Sequence, residues 1–168
     1  MNLAAIWQTF ETSALGDFVA TSGWAFPAIE SLHVIAIVTV VGCIAIMDLR
    51  LLGLASGSRA VSAMSRDTLK WTWLAFGLAV VTGLLLFVSG AGGYMVNPYF
   101  LWKMVLLLLA GLNMAIFHLS TWRTVDSWDA NPAAIPAAAK VAGALSLAFW
   151  VGVVFCGRVI GFTLGIYV

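Results

Sequence analysis

Seven ionisable side chains lie inside long apolar runs or at their ends, where charge is expensive and points to function. Glu30 and His33 precede the run 34–47, and Asp48 and Arg50 follow it. Lys103 and His118 lie toward the two ends of a later run, and Arg158 sits deep in the last one. Glu30 and His33 are three apart, so on a helix they share one face, a turn from each other. An imidazole beside a carboxylate can pass protons at a quinone oxygen, and nearby cations can hold negative charge. Two histidines also raise the question of a b-type haem with imidazole ligands.

Depth sorts these groups. With span midpoints near residues 38, 109 and 153, helical rise puts His33 about 7 Å and Glu30 about 12 Å outward of the midplane. On the same rule Lys103 lies about 9 Å and Arg158 about 7 Å outward. Glu30, His33, Lys103 and Arg158 therefore form a candidate cofactor-binding layer for a quinone or haem. The plainer reading of that layer is ion pairing of Glu30 with Lys103 or Arg158, with Lys103 snorkelling to the interface. His118 falls roughly 13 Å to the other side, about 20 Å in depth from His33. A single bis-imidazole haem within one chain does not fit that separation. Haem through His33 alone, or with a partner subunit's ligand, does. His118 is expected to meet Asp48 in a secondary, inner-side polar pair, either as an interfacial contact or as a proton-handling one, with Asn113 loosely on the same face.

Holding these groups at such depths takes helices that cross a bilayer. Of 168 residues 62% are hydrophobic and 9% charged, against about 25% charged in soluble domains. Four spans are predicted, at about 24–54, 68–90, 98–122 and 136–166, each near or above the roughly 20 residues a crossing needs. Leu3, Ile6, Trp7, Phe10 and Ala14 recur at helical spacing, so residues 3–20 are predicted as an amphipathic interfacial helix that Gly16 ends or bends. The expected architecture is one all-α transmembrane domain over 1–168, a four-helix bundle whose consecutive spans pack as antiparallel neighbours. Ser65 is the expected N-cap of the second span, and Asn97-Pro98 the cap and first residue of the third. The stretch 89–98 reads as a turn and 123–136 as a loop.

Arg50, Arg59, Arg66 and Lys70 collect around the first connection, and Arg123 and Lys140 around the third, while the N-terminal segment and the 89–98 turn hold neither Lys nor Arg. The basic connections are therefore expected in the cytoplasm, with both termini outside. Gly157, Gly161 and Gly165 recur every four residues, a spacing that lets backbones approach in lipid. Packing within the chain is the first expectation for them, and a homo-oligomer or partner-subunit contact the second. Cys43 and Cys156 read as buried apolar residues, with no metal ligand spacing. A net charge of +1 leaves no basic footprint for nucleic acid.

The segments GWAFPAIESLHVIAI and MDLRLLG, followed by FLWKMVLLLLAGLNMAIFH in the third span, resemble a family of small bacterial inner-membrane proteins of unknown function. Glu30, His33, Asp48 and Arg50 carry the likeness, which covers most of the chain from Trp24 onward. It implies a four-helix inner-membrane protein and no role for any residue. The chain is also loosely similar to four-helix b-type cytochrome units and copper-resistance membrane proteins. It lacks the depth-matched histidine pairs of the first and the Met/His clusters of the second. The functional expectation is a membrane subunit of an electron-transfer system, not an enzyme on its own. The alternative is a non-enzymatic accessory or scaffold subunit of a larger complex. Small-solute transport comes third, since no broken helices or repeats are visible.

Overall fold

The computed structural model describes residues 3–129, 131 and 134–167. Met1, Asn2 and Val168 lie outside the described residues, as do Ala130, Pro132 and Ala133 of the expected 123–136 loop. Among the described residues seven α-helices follow in order: α1 (Leu3–Glu11), α2 (Ala14–Thr21), α3 (Ala25–Leu51), α4 (Val61–Val88), α5 (Ala91–Val96), α6 (Pro98–Leu119) and α7 (Ala137–Thr163). A 3-10 helix, Thr121–Ser127, precedes α7. Helices α3, α4, α6 and α7 are long and apolar enough to cross a membrane, at 27, 28, 22 and 27 residues. Their lengths of about 33 to 42 Å exceed a hydrocarbon core of about 30 Å. The protein is an all-α, multi-pass membrane protein.

The N-terminal segment is two helices, not one. The break falls at Thr12 and Ser13, where Ser13 caps α2 by accepting from the Gly16 N–H at 3.1 Å. Gly16 lies inside α2, and a Cβ there would stand 2.5 Å from the Phe10 carbonyl oxygen and 2.9 Å from that of Val88. Its role is close approach: it lets the kinked pair lie against the end of α4. Ser65 is likewise no cap, because α4 already starts at Val61. The 89–98 stretch winds into α5 before Asn97 caps α6, accepting from the N–H groups of Tyr99 and Phe100, with Pro98 in the first turn as expected.

The helix order in space differs from the order in the chain. α4 packs on α3, α3 on α7 and α7 on α6, whereas α4 and α6 are not a packed pair. The Asn97 side chain shows why. Fully buried at the start of α6, it donates through Nδ2 to the Thr163 hydroxyl at 3.0 Å, tying that end to α7. One apolar cluster, around Val40, Ala75, Ala110, Trp150 and Val153, holds the middle of the bundle. A second, with Leu51, Val61, Phe117, Val125, Trp128, Ile135 and Ala139, seals the end that carries the basic connections. Trp128 belongs to this cluster and is buried.

At that basic end Arg50 is fully buried. Its Nε donates to the Arg59 carbonyl at 2.8 Å and its Nη2 to the Asp129 carbonyl at 3.3 Å, joining the first and third connections. Its Nη1 has no hydrogen-bond partner among the described residues, and its charge also acts on the Asp129 carboxylate.

Candidate functional site

The N-terminal half of the bundle holds the expected Glu30, His33, Lys103 and Arg158 layer, and it brings only part of it together. His33 is half-buried on α3 and faces α4, its Nδ1 2.9 Å from the Thr82 hydroxyl oxygen. That hydroxyl already donates to the Leu78 carbonyl at 2.7 Å, so His33 Nδ1 is the donor and Nε2 is left as an acceptor. Gly83 supplies the room: a Cβ there would sit 3.1 Å from the ring. Lys103 acts on His33 through its charge and lies 5.3 Å from the Phe100 ring. Glu30 is exposed; its carboxylate is felt by Tyr94, whose phenol is pushed up first by burial and then by that charge. Arg158 is exposed and lies 4.4 Å over the Phe162 ring of its own helix. Among the described residues no ion pair joins Glu30 to either cation; the pair described is Arg59 with Asp67, at the other end.

Rings roof this half. Phe87 stacks on Phe100 at 5.7 Å, Tyr94 lies 5.3 Å from Phe100, and Trp7 meets Phe87 edge-on at 6.0 Å. They bridge α4 and α6 at the end where α1 and α5 lie. Glu11 fixes α1 there by accepting from the Gly92 N–H at 2.7 Å.

The basic half is open where the other is bridged. Between α4 and α6 lies a cleft of about 250 Å³, walled by Trp73 and Phe76 on one side, Trp122 on the other, and Trp150 behind. Trp73 and Met114 on its rim are exposed, so the cleft opens on the outer surface of the helix bundle. Asp48 and His118 both line it, yet no hydrogen bond joins them. Asp48 is 6% exposed, stands beside the Ser146 hydroxyl of α7, and its Oδ2 has no hydrogen-bond partner among the described residues. His118 turns its Nδ1 to the Met114 carbonyl at 2.9 Å and packs its ring at 5.5 Å from Trp122. Asn113 donates through Nδ2 to the Ala142 carbonyl at 2.9 Å. Cys43 lines the cleft and Cys156 is buried, both as free thiols.

The two histidines therefore stand apart, one against Thr82 and Gly83, the other at the cleft in the basic half. Gly157, Gly161 and Gly165 face no other part of the chain within 4 Å, so they do not pack within it; Gly165 lies past the helix at φ +95°. Sequence reasoning missed Thr82, Tyr94, Ser146 and the tryptophan walls. A hydroxyl or an indole in an apolar helix carries no signal of its own until a neighbouring helix is known. Phe87 and Phe100 on either side of the 89–97 turn, with Tyr94 inside it, were the one cue available for the roof.

No curated protein and no solved structure matches the chain. A family model covers residues 6–163, nearly all of the described helices, and the protein belongs to that family, the family of unknown function DUF6644.

Proposed function

We propose that the protein is an integral-membrane subunit of an electron-transfer system in the bacterial inner membrane, and that it takes a quinone from the bilayer into the cleft between α4 and α6. The observation that carries this is the cleft itself: laterally open, walled by indole and phenyl rings, and holding a buried carboxyl. Pockets for whole drug-sized ligands run about 300–1,000 Å³. At about 250 Å³ the cleft suits a ring head whose tail stays in lipid. The layer around His33 supports a bound cofactor less well. Its imidazole is engaged with Thr82, and Arg158 lies on Phe162, away from the other three groups. Haem would bind through His33 Nε2 and could keep the Thr82 bond, but the other histidine, His118, stands in the opposite half of the bundle and cannot be its second ligand.

The test is photolabelling of the purified protein with an azido-quinone, with excess unlabelled quinone as competitor. Saturable labelling on α4 and α6 peptides that include Trp73, Phe76 or His118 is the expected result. Labelling that does not compete, or that falls elsewhere, overturns the proposal. One observation favours a second reading, the accessory or scaffold subunit. Gly157 and Gly161 leave a smooth, uncovered stripe on α7 against which a partner helix, from another subunit or a second copy, would fit closely.

A further inference from the structure

From the hydrogen-bonding groups around the cleft we infer that it selects the reduced, hydroxyl-bearing form of its ligand, a hydroquinone, which donates to Asp48. This rests on the quinone reading above and adds to it the chemical form that is bound. At Asp48 itself donors are short: Ser146 is the one hydroxyl beside it, and Oδ2 has no hydrogen-bond partner among the described residues. The Met114 carbonyl can only accept, so the bond at 2.9 Å puts a proton on His118 Nδ1. Asn113 gives one of its two amide hydrogens to the Ala142 carbonyl, and its Oδ1 is an acceptor. Asp48 brings carboxyl oxygens, one of them without a partner, at 6% exposure.

Ser146 is the hydroxyl beside them, and it supplies a single donor. A quinone carbonyl only accepts, so it would leave the free Asp48 oxygen without a partner. A hydroquinone hydroxyl donates, and so pairs a buried acceptor that is costly to leave bare. Rotation about the Asp48 Cβ–Cγ bond, a soft two-fold torsion, presents either oxygen. The ligand's path is also set. The cluster of Leu51, Val61, Phe117, Val125 and Trp128 closes the basic end, and the rings of Phe87 and Phe100 bridge the helices at the other. Entry is from the side, out of lipid, ring first between Trp73 and Trp122.

Calorimetric titration of the detergent-purified full chain with three probes tests this: a decyl hydroquinone under anaerobic reducing conditions, the matching decyl quinone, and the dimethyl ether of the hydroquinone. The ether keeps the ring and tail and removes both donors. Wild type should bind the hydroquinone about tenfold or more tighter than the ether or the quinone. Asp48→Leu, checked for retained helix content, should bind all three alike. If wild type itself binds the three equally, or prefers the quinone, the donor assignment to Asp48 is overturned while the quinone cleft stands. If none of the three binds, the quinone reading falls with it. A long-chain primary amine that displaces the hydroquinone and binds more tightly would assign the free oxygen to a cation and likewise overturn the hydroxyl. The wild-type comparison decides the matter even if Asp48→Leu fails to fold.

Discussion

Asp129 lies in the connection before α7, yet it organises the start of α4. Its Oδ1 accepts from the Ser62 N–H at 2.7 Å and its Oδ2 from the Ser62 hydroxyl at 2.6 Å, while its carbonyl takes the Val61 N–H. Ala60 at the N-cap position makes no side-chain cap, so a residue distant in sequence caps the helix from outside. Desolvation works to raise the Asp129 pKa. The Ser62 and Val61 hydrogen bonds and the Arg50 charge outweigh it and hold the carboxyl below its ordinary value of 3.8. A folded pKa below the unfolded one means stability that is present above the unfolded value and lost as pH falls through the folded one. Thermal unfolding in detergent should therefore show wild type losing stability below about pH 4. Asp129→Ala should be less stable by about 1 kcal/mol at neutral pH, the worth of a cap, with a flatter response to acid. Equal acid sensitivity of the two proteins would remove this role from Asp129.

The N-terminal pair α1 and α2 shows how a short element is held on a membrane bundle. Its apolar residues are mostly exposed, Leu3, Phe10, Leu15 and Phe18 among them, as suits helices lying at an interface. What docks it is specific: Trp7 on Phe87, Glu11 on the Gly92 N–H, and Gly16 against three carbonyl oxygens. Those oxygens are backbone atoms and cannot swing aside as a side chain would. Gly16→Ala should then cost about 1–3 kcal/mol, the usual penalty of overpacking, read as a lower melting temperature. Gly23→Ala is the control, since nothing stands within 4 Å of its Cβ position. Equal melting of the two variants would show that α1 and α2 are not packed as described.

For the whole molecule, the spatial order α4, α3, α7, α6 leaves a bundle bridged at one end and open on one side. The cleft exists because α6 is tied to α7 through Asn97 and Thr163, not to α4, its predecessor among the long helices. Charge predicts the membrane orientation: Arg59, Arg66 and Lys70 lie in or beside the first connection and Arg123 and Lys140 in or beside the third. The proposed arrangement puts both in the cytoplasm and both termini outside. Reporter fusions made after Gly57 and after Asp129 should give fluorescent-protein signal and no phosphatase activity. Phosphatase activity at either position would reverse the orientation.

Several features were legible in the chain itself. Four long apolar stretches demand helices because lipid offers backbone groups no partner, and Asn97-Pro98 marked the start of α6 through local chemistry alone. Local signals stop there. Depth arithmetic could say that Glu30, His33, Lys103 and Arg158 share a layer, but depth says nothing of direction around the helix axis. The fold turns His33 to Thr82, leaves Glu30 exposed, and lays Arg158 over Phe162. Asp48 and His118 were placed on one side of the membrane by counting residues, and they do line one cleft. That the two stay unbonded there, with a carboxyl oxygen unpaired, depends on where α7 sets Ser146 and how α6 turns its own Met114 carbonyl. Those are facts of helix rotation and packing, set by contacts among residues far apart in the chain, and only the tertiary structure decided them.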